Sequence, residues 1–191
     1  MTNVVAIVGF MVALMVFLYS RKKTSAYVLS KVDDKLYQVR DLNDKQHAAN
    51  TLATLRQTIY LFSEYLYANQ KEYPEYKEYI NNLYNKIKDT EFRENSPKSS
   101  YSSYSVNKGE ELVFCLRSKN TNEIHDTNTL MFVTLHELAH IACPEYNHTD
   151  LFHKIFRFFR QVAMKLNIYK YQDYSVNPVE YCGININQKP S

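Results

Sequence analysis

His136-Glu137-Leu138-Ala139-His140, with His148 eight residues further on, is the stretch around which the chain is organised. Residues four apart in a helix share one face, so the two imidazoles project side by side. Two neutral imidazoles placed in this way can hold one zinc ion, and Glu137 stands where it can take a proton from a water. His148, beyond the helix, supplies a third ligand from a loop. A fourth position then stays open to water or substrate, which separates a catalytic zinc site from a structural one. The spacing points to a zinc-dependent peptidase with one Zn2+ per chain, His136, His140 and His148 as ligands and Glu137 as catalytic base.

The surroundings agree. Leu130-Met131-Phe132-Val133-Thr134-Leu135 precede the motif and are apolar enough for a buried helix, where His, Glu and His are costly without a task. Asp126 or Thr127 can cap that helix, expected over about 127–143, and Pro144 stops it. His148-Thr149-Asp150 opens a second amphipathic helix, expected over 149–166, with Leu151, Ile155, Phe158, Phe159, Val162 and Leu166 inward. Lys154, Arg157, Arg160 and Lys165 are expected to face solvent. Cys143 and His153 are the fallback ligands, while His47 and His125 read as surface residues.

Upstream, Ala26-Tyr27-Val28-Leu29 and Leu36-Tyr37-Gln38-Val39 are strand-like pieces either side of an Asp33-Asp34 turn. Leu52, Leu55, Ile59, Phe62 and Leu66 then recur at helical spacing, and Pro74 is expected to start a further helix bearing Tyr76, Ile80, Leu83 and Ile87. The Ser-rich stretch 94–105 reads as a loop. Glu111 to Arg117 is a strand, either of the core or at a sheet edge where an extended peptide could add by β-augmentation. Tyr181 to Ile186 reads as a turn and a short strand.

Length and composition limit the alternatives. The 191 residues suit one domain with an appendage. A net charge of +3, with no basic stripe interleaved with aromatics, gives no support for direct nucleic-acid binding. Cys115, Cys143 and Cys182 are sparse and odd in number, which suggests free thiols, with one disulfide as the alternative. Cys143 reads first as a small buried hydrophobe.

Val4 to Tyr19 is apolar, and no charge occurs before Arg21-Lys22-Lys23. Seventeen helical residues span roughly 25 Å, just short of a bilayer core. Residues 1–23 therefore read as an N-terminal transmembrane anchor with a basic stop, contacting lipid through 4–20, and residues 24–191 as the catalytic domain. The basic flank places that domain on the cytoplasmic side of a single-pass protein. The sequon Asn147-His148-Thr149, on the ligand loop, points the same way, because a glycan there would block the site.

His136-Glu137-Leu138-Ala139-His140, then His148 with Phe152, resembles the WLM peptidases and their SprT-like (Spartan) relatives. The segments Asp44-Lys45-Gln46-His47-Ala48-Ala49-Asn50, Asn107-Lys108-Gly109-Glu110, Cys115-Leu116-Arg117-Ser118-Lys119 and Tyr181-Cys182-Gly183-Ile184 are similar to stretches of WLM-like proteins of large DNA viruses. The likeness covers about 25–188. It implies an α+β, zincin-like minimal metallopeptidase domain, an active-site helix with a small sheet, in which the three histidines bind zinc and Glu137 is the base. The gap of eight residues before His148 is longer than in many members.

The expected activity is endoproteolysis of protein or peptide substrates. Tyr181 is the candidate oxyanion stabiliser, on the expectation that the C-terminal segment returns to the cleft. The rivals are an inactive membrane-anchored zincin-fold binding protein and a structural zinc protein closed by Cys143 or His153.

Overall fold

Two periodicities, one of alternation and one of 3.6 residues, build a mixed α+β domain. The computed structural model describes Met11 and residues 24–187. Strands β1 (Ser25–Leu29) and β2 (Leu36–Arg40) form an antiparallel hairpin, with Asp34 in the left-handed region at φ 53°. Helix α1 (Lys45–Ala68) follows, and its stripe Leu52, Leu55, Ile59, Phe62 and Leu66 is at most 2% exposed. Pro74 begins only a 3-10 turn, Pro74–Tyr76. The next helix, α2 (Lys77–Ile87), starts after it and buries Ile80, Leu83 and Ile87.

The stretch expected to be a loop holds parts of two strands, β3 (Glu91–Glu94) and β4 (Tyr104–Val106). Both are too short and polar to show an alternation, and pairing rather than propensity makes them strands. With β5 (Glu111–Phe114) they complete a sheet of order β1-β2-β3-β5-β4. β5 lies parallel to β3 and antiparallel to β4, so it is interior, and the edge at that side is β4. β5 stops at Phe114; Arg117 makes only an isolated bridge to Ile124.

Arg117, 1% exposed, explains that stop. Its Nε donates to Glu94 at 2.9 Å and its Nη1 to Asp44 at 2.5 Å, while the Arg40 amide donates to the other Glu94 oxygen. Burial raises the Glu94 pKa against the opposing pull of these partners. The network ties β2, β3 and the start of α1 to the chain leaving β5.

Helix α3 (Thr127–Ala142) lies in the interior, and α4 (Asp150–Lys165) packs Phe152, Ile155, Phe156, Phe158, Phe159 and Val162 inward. Arg160, expected outside, is 4% exposed, and its guanidinium lies 4.8 Å from the centre of the Phe156 ring. Strands β6 (Val179–Tyr181) and β7 (Ile184–Ile186) form a separate hairpin. A disulfide joins Cys182 in its turn to Cys115 after β5, with Cα atoms 5.9 Å apart. The free-thiol expectation therefore holds for Cys143 alone, which is fully buried. A separation of 67 positions between the bridged cysteines hid that pairing from the sequence.

The single-pass membrane topology with a cytoplasmic catalytic domain is also corrected. No helix among the described residues is long and apolar enough to cross a membrane. The longest of them, α1, carries a polar face throughout its 24 residues. The segment that prompted the expectation, 4–20, lies outside the described residues except for Met11.

Candidate metal centre

The site begins with a well-capped helix. Asp126 accepts from the amides of Asn128 and Thr129, both at 3.0 Å, which sets the start of α3. Eleven of its sixteen residues are buried. Packing of Leu130, Leu135, Leu138 and Ile141, each at most 1% exposed, fixes its rotation, and that rotation turns His136 and His140 into a cleft.

His148 meets them from the loop. Its Nε2 lies 3.0 Å from His136 Nε2 and 3.1 Å from His140 Nε2. Phe152, fully buried on the first turn of α4, packs its ring against all three imidazoles, with centroids 4.9, 4.3 and 4.7 Å from His136, His140 and His148. Two tetrahedral bonds of about 2.0–2.1 Å separate their ends by roughly 3.3 Å, so three nitrogens at this spacing fit a zinc ion. Among the described residues these three histidines are the one group of His, Cys, Asp and Glu placed to hold a metal. Cys143 and His153 are not part of it; the His153 ring is 6.3 Å from that of His148.

The electrostatics favour ligand chemistry. Burial, reinforced by the neighbouring His140 and His148, lowers the His136 pKa to about 3. Burial and His148 lower that of His140 to about 4, and burial lowers that of His148 as well. All three rings are thus neutral near pH 7 with lone pairs available. Glu137 is 5% exposed and lines the same cleft. Burial pushes its pKa up to about 7, against the opposing hydrogen bond from the Ser105 backbone on β4.

Tyr181 does return to the cleft. It is 1% exposed, its hydroxyl is 2.5 Å from Ser103 Oγ, and burial, with a smaller contribution from Glu137, raises its pKa. Ser103 Oγ also accepts from the Cys115 amide at 2.9 Å, so one serine joins the tyrosine to the strand next to the disulfide. His125, expected on the surface, is half-buried. It accepts from the Cys182 amide at 3.2 Å and lies against the Tyr181 ring, helping to seat the hairpin.

Ser103, Ser105 and Phe152 carry no site role legible in the sequence. The two serines sit in a low-complexity stretch with no periodic signal, whereas Phe152 was marked only by its place four residues after His148. The cleft encloses about 1300 Å3 between α3, α4, β4 and the hairpin. This exceeds the roughly 300–1,000 Å3 usual for small-molecule pockets.

Comparison with known proteins gives a clear relative. The chain is 45% identical over 185 residues to "Uncharacterized protein R325" of Acanthamoeba polyphaga mimivirus, covering 96% of this chain and 94% of that one. Shorter matches occur in Invertebrate iridescent virus 6 (protein 136R, 38% identity, 35% of this chain and 38% of that one) and Invertebrate iridescent virus 3 (protein 042R, 40% identity, 39% and 41%). No family model matches the chain. Crystal structures of Wss1 from Saccharomyces cerevisiae and of a Wss1 mutant each superpose with a TM-score of 0.36. They are 19% and 18% identical and cover 52% and 53% of this chain and 84% and 87% of theirs. A superposition that weak carries no argument. The near end-to-end match does, and the chain belongs to the family of the mimivirus protein R325.

Proposed function

We propose that the domain is a zinc-dependent endopeptidase of the WLM kind, acting on protein or peptide substrates. The observation that carries this reading is the convergence of three neutral histidine nitrogens beside a buried carboxylate that lines the same cleft. When bound, zinc supplies Lewis-acid polarisation and makes water acidic near neutral pH. His136, His140 and His148 would hold the ion. Glu137, with its pKa close to neutrality, takes a proton from the attacking water and delivers it to the leaving amine.

Tyr181 is the oxyanion stabiliser in this scheme, because Ser103 holds its hydroxyl at the cleft and, with Ser103 as the donor of that bond, the Tyr181 proton is left for an oxyanion. The free edge of β4, whose residues line the cleft, is where an extended substrate backbone adds. Of the two readings of the strand starting at Glu111, the core one holds, because both of its edges are already paired. A structural zinc site would need a fourth protein ligand, and among the described residues none joins the three histidines.

The test is proteolysis of an unfolded protein by the zinc-loaded full-length chain beside Glu137→Gln. The wild type is expected to cleave and to stop on chelation, and Glu137→Gln to keep its metal while losing at least about 10²-fold in rate. Retained cleavage by the variant would remove Glu137 from the chemistry.

A further inference from the structure

The three ligands are not held alike. His136 and His140 ride on a buried helix, but His148 ends a loop whose side chains at Pro144, Glu145, Tyr146 and Asn147 are all exposed. That loop buries no apolar anchor to offset the entropy of ordering it. What orders it is polar. Lys108 Nζ donates to three successive carbonyls, Cys143 at 3.0 Å, Pro144 at 2.6 Å and Glu145 at 3.2 Å. Those are all the protons an ammonium has. The same ammonium lies 4.2 Å from the centre of the Tyr146 ring, a second hold on the loop.

The backbone that presents Lys108 is built for this reach. Asn107, Lys108 and Gly109, in the turn between β4 and β5, have φ of 46, 53 and 118°. A Cβ at Gly109 would stand 3.3 Å from Ile141 Cγ2, so glycine lets the turn lie against the end of α3. The neighbouring carbonyls have other donors, Lys86 for Ile141 and Asn82 for Ala142. Those two complete the helix end, while Lys108 serves the residues that leave it. At the far end of the loop, Thr149 donates to Glu145 and caps α4 through the Phe152 amide.

We propose that Lys108 is a positioning residue for the third ligand: its ammonium clamps carbonyls 143–145 so that the loop delivers His148 onto the His136–His140 pair. Lys108 borders the cleft, and its effect on the metal is exerted through His148. The metal part of this inference rests on the zinc reading above; the clamp on the loop does not.

Three measurements on the full-length protein separate these. Backbone amide order parameters in the metal-free wild type should be about 0.8 or higher through 145–148 and fall below about 0.6 in Lys108→Met, with α3 unchanged. Unchanged order in that variant would overturn the clamp. Zinc affinity should then fall about 10–100-fold in Lys108→Met. It should fall by less than about twofold more when Lys108→Met is added to His148→Ala. The cobalt(II) spectrum of Lys108→Met should move toward that of His148→Ala. An equal loss of affinity in both backgrounds would mean general destabilisation and overturn the positioning role. A wild type that binds no metal would defeat the zinc reading, and the order parameters alone would then decide the clamp.

Discussion

The two walls of the cleft are made by different physics. The helical wall, α3 with the first turns of α4, is fixed by apolar packing: Leu135, Leu138, Phe152 and Ile155 are each at most 1% exposed, and their burial points the histidines inward. The opposite wall, β4 with the β6–β7 hairpin, is joined by discrete polar and covalent links. These are Ser103 to Tyr181, His125 to the Cys182 amide, and the disulfide. Packing places two of the metal ligands, His136 and His140, while polar and covalent links place His148 and the groups that face them. The two walls should therefore fail separately.

The sharpest contrast concerns metal. His136→Ala should weaken zinc binding by more than about 100-fold, since a ligand is worth at least as much as the strongest outer partners. Cys182→Ser, which frees the opposite wall, should leave zinc affinity within about threefold. Calorimetric titration reads both, and a matching loss in Cys182→Ser would mean that the walls are one unit.

Next in size is stability. Cys182→Ser should lower the unfolding free energy in urea by about 2–4 kcal/mol, because the bridge closes a long loop in the unfolded chain. A reductant should do the same to the wild type and nothing further to the variant. An unchanged midpoint would show that the hairpin is held by its non-covalent links alone.

Proton linkage is the smallest effect, because the groups oppose one another. His136 and His140 have folded pKa values below their unfolded value near 6.5, so their stabilising contribution is complete above that and is lost as the pH falls toward about 4. Glu137, raised to about 7, contributes stability below its unfolded pKa of about 4.5 and loses it as the pH rises to 7. Metal-free wild type should thus lose stability only modestly between pH 6.5 and 4.5. Glu137→Gln, lacking the opposing group, should lose it more steeply. Equal slopes would contradict the buried, proton-binding state of Glu137.

The same division explains what could be read from the sequence. The stripes of α1 and α4, the cap at Asp126 and the His-Glu-His spacing are local, since each repeats or closes within a few residues. The expected bounds of α3 and α4 fall within a residue or so of those observed. The Ser103–Cys115 hydrogen bond, the Arg117–Glu94 pair, the Lys108 clamp and the disulfide join residues between 12 and 67 positions apart through contacts that leave no period. Arg160 failed for a related reason: a guanidinium can be buried against an aromatic ring, which a charge pattern does not show. Tyr181 was placed correctly in the cleft only as an expectation about where the C-terminal segment returns; Ser103, which holds it, gave no sign.

The central claim is that three histidines from a helix and a loop make one zinc site with a non-ligating Glu137 beside it. Elemental analysis of the full-length protein after zinc reconstitution and desalting tests it most directly, with wild type beside His148→Ala and Glu137→Gln. The account predicts one zinc per chain in the wild type and in Glu137→Gln, and a substoichiometric amount in His148→Ala. Wild-type protein that retains no zinc, or His148→Ala that retains a full equivalent, would contradict it.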